Sequence, residues 1–433
     1  MQDKDFLCGK FKEKLLLSYF CRMKPDIYFF NPTCELAVAN GSTNYMASAK
    51  LRRFENELST LPGLISGPAD FVLADRRPDQ EFEDQLRNAG FQIPNYQTAQ
   101  NLIADQKFLA LNKGFMFPWG WSPAAHKHLL FIKSGCCDEF QKSPVVQWRE
   151  IHRELYSRKS SLTILSQIIE SQKLNNSLIQ NELPEICFTP DQLIALQRKW
   201  GKVVVKAPWS SSGRGLQFLR PNEFNRTNRQ VIAGYINQQG YILVEPWVDK
   251  LLDLSFQFFS DGAGGIEYKG FTTFTTDQAG RYTGNNIQEL PRVLEPSLKD
   301  FLMENIAEAR KVLLAELIAS NYSTEYYGWF GVDAMIFKSK DGIMKFNPCL
   351  EINCRFTMGA IALKLREHLC EGSSGEFRIL HGKEGYFDQF CRENKIKAPL
   401  KMNYENIESG FLPLTPMLPK NSFGAYLKVK SNG

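Results

Sequence analysis

Gly328-Trp329-Phe330-Gly331-Val332-Asp333-Ala334-Met335-Ile336-Phe337, followed after a turn by Phe346-Asn347-Pro348-Cys349-Leu350-Glu351-Ile352-Asn353-Cys354-Arg355, is the stretch that decides the fold. The first run is an apolar strand carrying one carboxylate, and a lone buried carboxylate is costly unless it is paired or bound to metal. Side chains alternate along a strand. Glu351, Asn353 and Arg355 therefore share one face, and Ile352, Cys354 and Phe356 the other. Oxygen donors and a fixed cation in one row suit a Mg²⁺ ion that bridges phosphates, although in isolation the row reads equally well as a solvated face. Asp341-Gly342 signals a hairpin. A two-residue turn there pairs Lys340 with Ile343 and leaves Asp333 and Glu351 on opposite faces. A shared ion then requires the register to slip by one residue. The expected place is Asn347-Pro348, because proline cannot donate to the ladder and sits at bulges. A longer turn around Gly342 has the same effect.

Two motifs lie upstream. Val203-Val204-Val205-Lys206 is an apolar strand ending in lysine, followed by Ala207-Pro208-Trp209-Ser210-Ser211-Ser212-Gly213-Arg214-Gly215. A lysine point charge suits phosphate oxygens, and a Ser/Gly loop lets backbone amides approach an anion. Taken alone, a hairpin turn with an exposed lysine accounts for it as well. The second motif is Ile242-Leu243-Val244-Glu245-Pro246-Trp247-Val248. Proline releases the chain from the ladder, so amide and carbonyl groups beside Trp247 and Val248 are expected to be free to read a purine edge. Asp253 is in range of ribose hydroxyls. An ordinary strand end is the plainer alternative for this segment.

Composition bounds the rest. A chain of 433 residues makes two to four domains. A net charge of +5 without dense basic clusters argues against nucleic acid and suits a small anionic ligand such as a nucleotide. The 10 cysteines show no zinc spacing, and no secretory leader or membrane-length apolar run is evident. Free thiols in a reducing cytoplasm are expected, with no membrane partner. His126 and His128 have no third ligand nearby, which sets a metal pair aside. Residues 1–22 read as an extension, with Met23 as an alternative start. Strand and helix patterns alternate from Ile27 to about residue 130, predicting a small Rossmann-like parallel α/β domain. Thr189-Pro190 predicts a helix start, and a long helix is predicted over about 298–320. Residues 396–433 are expected to wrap back over the body.

Together, and in this order, the three motifs resemble the ATP-grasp superfamily. The Trp247 hinge and the Gly-Trp-Phe-Gly-Val-Asp run are similar to D-alanine–D-alanine ligases, and the Glu-x-Asn-x-Arg strand is similar to carboxylases. The resemblance covers about half of the chain and implies an ATP-grasp domain over 131–395, behind the small α/β domain of 23–130. It also implies site roles. Lys206 would touch ATP phosphates, and Ser210, Ser211, Ser212, Gly213 and Gly215 would close over them. Glu245, Trp247 and Val248 would line the adenine, with Asp253 near the ribose. Asp333, Glu351 and Asn353 would ligate Mg²⁺, for which Mn²⁺ could substitute, and Arg355 would steady the transferred phosphate. An earlier helix lysine of the family is matched to Lys159, with Lys173 also in range. The resembled ligases carry an arginine two residues before the metal aspartate. Here that residue is Gly331, so charge stabilisation is assigned to Arg281. The implied reaction is activation of a small carboxylate as an acyl phosphate for attack by an amine or thiol. A small-molecule kinase on the same fold and a nucleotide-binding protein without turnover are the competing readings. Asn31-Pro32-Thr33-Cys34-Glu35, after the first strand, is a candidate substrate contact or a plain loop.

Overall fold

The computed structural model describes residues 24–431 except 175–178, 180–181, 211–212, 222, 279, 289 and 291–293. The extension of residues 1–22 and its alternative start at Met23 lie outside the described residues.

Short apolar strands β1 (Ile27–Phe29), β2 (Phe71–Leu73), β3 (Asn95–Gln97) and β4 (Met116–Pro118) form an all-parallel sheet in the order β3-β2-β1-β4. The intervening helices include Cys34–Asn40, Ala49–Glu57 and Gln80–Asn88. Asp79 caps the last of these through the Phe82 amide at 2.8 Å.

β5 (Glu185–Cys187), β6 (Val203–Lys206), β7 (Leu216–Leu219) and β8 (Ile242–Pro246) make an antiparallel sheet in the order β5-β8-β6-β7. Helices Pro190–Trp200 and Arg226–Gln239 cover it. The first starts as the sequence predicts, with Thr189 as cap, Pro190 in the first turn and Gln192 completing a capping box.

The largest sheet runs β13-β12-β9-β10-β11-β14-β17-β16-β15. Its members are β9 (Asp249–Asp261), β10 (Ile266–Thr276), β11 (Tyr282–Asn286), β12 (Tyr327–Lys338), β13 (Met344–Asn353), β14 (Ser374–His381), β15 (Lys401–Asn403), β16 (Asn406–Pro413) and β17 (Phe423–Lys430). The C-terminal segment is thus not a wrap. β17 is inserted between β14 and β16, with Phe423, Ala425, Leu427 and Val429 buried. One face of the sheet is sealed by the helix Pro296–Ile318, through Leu302, Leu313 and Leu317, together with Arg158–Glu170. The helix Met358–Arg366 covers β9, β10 and β11.

The β12–β13 hairpin settles the register. Its turn is three residues long, not two. The Gly342 amide donates to the Ser339 carbonyl, the Ser339 amide to the Ile343 carbonyl, and Gly342 takes φ +79°. This is a type I turn closed by a left-handed glycine. Lys338 pairs with Met344, Met335 with Asn347 and Asp333 with Glu351. One residue separates the β12 partners Asp333 and Met335, whereas Pro348, Cys349 and Leu350 separate Asn347 from Glu351. The turn shifts the ladder one way and the bulge at Pro348 shifts it two residues the other. The net slip of one brings the two carboxylates face to face.

Candidate active site

The strand β13 presents Glu351 and Asn353 beside Asp333 of β12, all lining a cleft of about 790 Å³. Asn353 Nδ2 donates to Asp333 Oδ2 at 2.9 Å and its Oδ1 accepts from Arg355 at 2.8 Å. Burial pushes Asp333 up to about 7, and the facing Glu351 pushes the same way. Two acids paired across a ladder in a largely buried site disfavour double ionisation unless a cation joins them. No group of three His, Cys, Asp or Glu side chains able to hold a metal exists among the described residues. The donor set is two carboxylates and an amide oxygen, which fits Mg²⁺ completed by phosphates and water rather than an all-protein cage.

Cations ring this floor. Arg355 Nε donates to Glu35 Oε1 at 2.6 Å and Nη1 to the Phe356 carbonyl at 3.0 Å. Burial opposes its charge most strongly, but Glu35, Cys34 and Asp333 together hold Arg355 above the usual arginine range. The segment after β1 is therefore more than a connector: Pro32 of the loop lines the cleft, and Glu35 in the first turn of the helix Cys34–Asn40 fixes the arginine at its floor.

Arg158 is the cation that sequence reasoning missed. Its amide donates to the Pro208 carbonyl at 3.1 Å, and its guanidinium reaches Ser210 Oγ at 2.6 Å, the Ala207 carbonyl, and Glu351 Oε1 at 2.8 Å. It lines both the large cleft and a cavity of about 10 Å³ beside Lys206 and Glu245. Lys159, matched to the family's helix lysine, is exposed on the same helix. Lys173 is exposed as well and pairs with Glu316. The signal was available: Arg158, Ser161, Leu165 and Ile168 are the buried stripe of this helix, and their spacing of three and four marks an inward face.

Lys206 ends β6 as expected, buried and paired with Glu245 at 2.6 Å. Trp247 and Val248 form the two-residue connection from β8 to β9. The expectation of a free amide at Trp247 is corrected, since it donates to the Lys202 carbonyl at 3.0 Å. Its ring packs on Phe218, flanked by Lys202 and Arg220. The chain thus continues one more ladder contact past Pro246. Asp253 is buried and held by Lys250 and Thr276. Burial raises its pKa against the pull of Lys250.

In the Ser/Gly loop, Ser211 and Ser212 lie outside the described residues. Gly213 takes φ +74° where a Cβ would stand 3.0 Å from the Gly280 carbonyl. The Gly215 carbonyl accepts from the Ala207 amide at 2.9 Å. Arg214, also missed, lines the cleft and feels Glu35, Tyr45 and Glu55 across it. Arg281 lines the cleft rim, exposed, with Nε on Asp277 at 2.8 Å. His126 and His128 diverge, stacking on Trp121 and Phe29 respectively.

No protein-family profile and no curated protein sequence matches the chain. Solved structures do. The biotin carboxylase–beta-gamma-ATP complex from Campylobacter jejuni superposes with a TM-score of 0.50 at 10% identity, covering 94% of this chain and 88% of that one. The biotin carboxylase domain of a Hydrogenobacter thermophilus 2-oxoglutarate carboxylase gives 0.49 at 11%, covering 94% and 86%. The N5-carboxyaminoimidazole synthetase from Staphylococcus aureus complexed with ADP gives 0.45 at 11%, covering 94% of each. Identities this low speak to architecture, and the parallel sheet, the small antiparallel leaf and the large sheet that frame the cleft agree with it: the chain has the ATP-grasp fold.

Proposed function

We propose that this protein is an ADP-forming ligase that uses ATP and Mg²⁺ to activate a small carboxylate for attack by an amine or thiol. The carrying observation is that Asp333, Glu351 and Asn353 meet on one face of the β12–β13 ladder, with Arg158 and Arg355 on either side. That the solved relatives of this fold include complexes with ATP-type ligands and ADP supports the nucleotide.

In this reading Lys206 and Arg158 hold the phosphates, and the loop from Ser210 to Gly215 covers them. Glu245 and the segment Trp247–Val248 border the adenine through Val248 and backbone carbonyls. Asp253 sits near the ribose. A bound Mg²⁺ would neutralise phosphate oxygens between Asp333, Glu351 and Asn353. A carboxylate oxygen of the substrate attacks the γ-phosphorus, the bond to the β-bridging oxygen breaks, and ADP leaves. Arg355, fixed by Glu35, faces the transferred phosphoryl group, and Arg281 approaches from the rim as the loop closes. An amine or thiol then attacks the acyl carbon, phosphate departs, and the proton passes to solvent. Positioning and charge supply the catalysis, so no nucleophilic side chain is required.

ADP release across a panel of amino acids and small carboxylates, with hydroxylamine present, tests the proposal. A hydroxamate formed only with ATP, Mg²⁺ and one acid class is the expected result. A stable phosphoester would instead identify a kinase, and ATP binding without turnover on any acid would defeat the ligase reading.

A further inference from the structure

A line of buried polar side chains runs from the helix Met358–Arg366 to Asp333. The Ala360 amide donates to Thr357 Oγ1 at 3.3 Å, as Thr357 caps the helix. Thr357 Oγ1 donates to Gln257 Oε1 at 2.6 Å. Gln257 Nε2 donates to Ser255 Oγ at 2.9 Å. Ser255 is paired directly opposite Asp333 on β9, and its hydroxyl favours the charged form of the Asp333 carboxylate. Gln257 is 1% exposed and Ser255 4%.

Every proton in this line has a determined direction. A hydroxyl has one hydrogen to give. Ser255 accepts from Gln257, so its own hydrogen is available to Asp333. The amide of Gln257 is held in that orientation by the Thr357 donor to its oxygen and by its own contact to the Ser255 carbonyl at 3.5 Å. Turned over, the amide would place its oxygen against Ser255 and draw that hydrogen away from Asp333. The packing is built around this arrangement. A Cβ on Gly359 would stand 2.6 Å from Gln257 Nε2, and one on Gly331 would stand 2.7 Å from Thr357 Cγ2. Both glycines let the helix and β12 close on the amide. Gly331 therefore has a physical reason at the position where the resembled ligases carry arginine.

We propose that Gln257 is a positioning residue that couples the substrate-facing first turn of the helix Met358–Arg366 to the ion-binding carboxylate of Asp333. Met358 and Gly359 line the cleft beside Asp333, so a substrate that shifts this turn pulls on Thr357, and the pull reaches Asp333 through Gln257 and Ser255. The proposal rests on Asp333 being an ion ligand, and the test separates the two ideas.

The test is calorimetric titration of Mn²⁺ into the full chain with a non-hydrolysable ATP analogue, with melting temperature followed in parallel. Removing an outer-shell partner of a ligand typically costs about tenfold or more in metal affinity. Gln257→Met is expected to weaken Mn²⁺ binding about tenfold. Ser255→Ala is expected to do the same, and the double variant no more than either alone, because both cut one line. Gln257→Glu, which removes the donor to Ser255, supplies the same reading if the methionine variant does not fold. Asp333→Asn should weaken Mn²⁺ further. If Asp333→Asn has no effect, the ion reading falls and the relay with it. If Asp333→Asn weakens binding while folded Gln257 and Ser255 variants bind Mn²⁺ like the parent, the relay alone is overturned.

Discussion

Arg355 Nε and Glu35 Oε1 lie 2.6 Å apart across 320 residues of sequence, joining the segment just past β13 to the first turn of the helix Cys34–Asn40. Both side chains are largely buried. Breaking such a pair from one side leaves an uncompensated charge, at about 3–5 kcal/mol. Glu35→Ala is therefore expected to lower unfolding free energy by that order in urea denaturation, and to reduce turnover because Arg355 loses its fixed orientation. An unchanged midpoint would show that Arg355 finds another partner.

Arg158 and Lys159 give opposite expectations. Arg158→Ala should reduce kcat/KM for ATP by about 10–150-fold, the worth of a charge-assisted contact of about 1.5–3 kcal/mol. Lys159→Ala, an exposed change, should stay within about 0.5 kcal/mol in stability and leave kcat/KM near the parent's. Steady-state ADP release decides. Equal losses in both variants would count against the placement of Arg158 at the phosphates.

Nucleotide affinity should depend on divalent metal. With Asp333 and Glu351 facing one another, a triphosphate would meet like charge unless a cation lies between them. Fluorescent ATP analogue binding in excess EDTA is expected to be at least about tenfold weaker than in Mg²⁺. Equal affinities would remove the ion from the site.

Acid stability has a stated sign. Burial holds His126 down to about 3 and His152 down to about 4, against an ordinary 6.5. Between those values and 6.5 the unfolded chain binds protons that the folded chain refuses, so stability rises with pH and is lost as pH falls below about 6.5. Asp26 works the other way. Burial pushes it up to about 7, so its share is present at low pH and lost as pH rises through 7. His126→Phe isolates the first effect and keeps the stack on Trp121. It should flatten the slope of unfolding free energy between pH 6.5 and 4 by up to about 1.4 kcal/mol per pH unit. Identical slopes would show that His126 is not buried in solution.

The site was legible where chemistry and periodicity coincide. Lys206 stands at the end of the strand Val203–Lys206, and the alternating residues Glu351, Asn353 and Arg355 all line the cleft. The slip that joins Asp333 to Glu351 was foreseen at Asn347-Pro348, but its size was not. It depends on the turn as well, and Asp-Gly closes a three-residue loop as readily as a two-residue one. The segment Asn31–Glu35 was marked as a candidate contact, but the pairing of Glu35 with Arg355 was illegible, as were Arg214 and Gln257, because their partners lie far away in sequence. Arg158 was legible and overlooked, since family precedent pointed to lysine while the helical stripe pointed one residue earlier. The C-terminal strands were misread because proline and polar residues dominate the approach to β17, although the alternation of Phe423, Ala425, Leu427 and Val429 reads as a half-buried strand.

The crowding at Gly331 also bears on how such a chain can change. An arginine at 331 must pass through the volume of Thr357 Cγ2, 2.7 Å from the site of its first carbon, and press on the amide of Gln257 at 3.3 Å. A single substitution therefore cannot convert this site to the arginine-bearing type. The path requires Thr357 and Gln257 to give way first, and on the proposed relay each of those steps would loosen the hold on Asp333 before any new charge arrives. Epistasis of this kind makes the other walls of the cleft the easier entry for new chemistry.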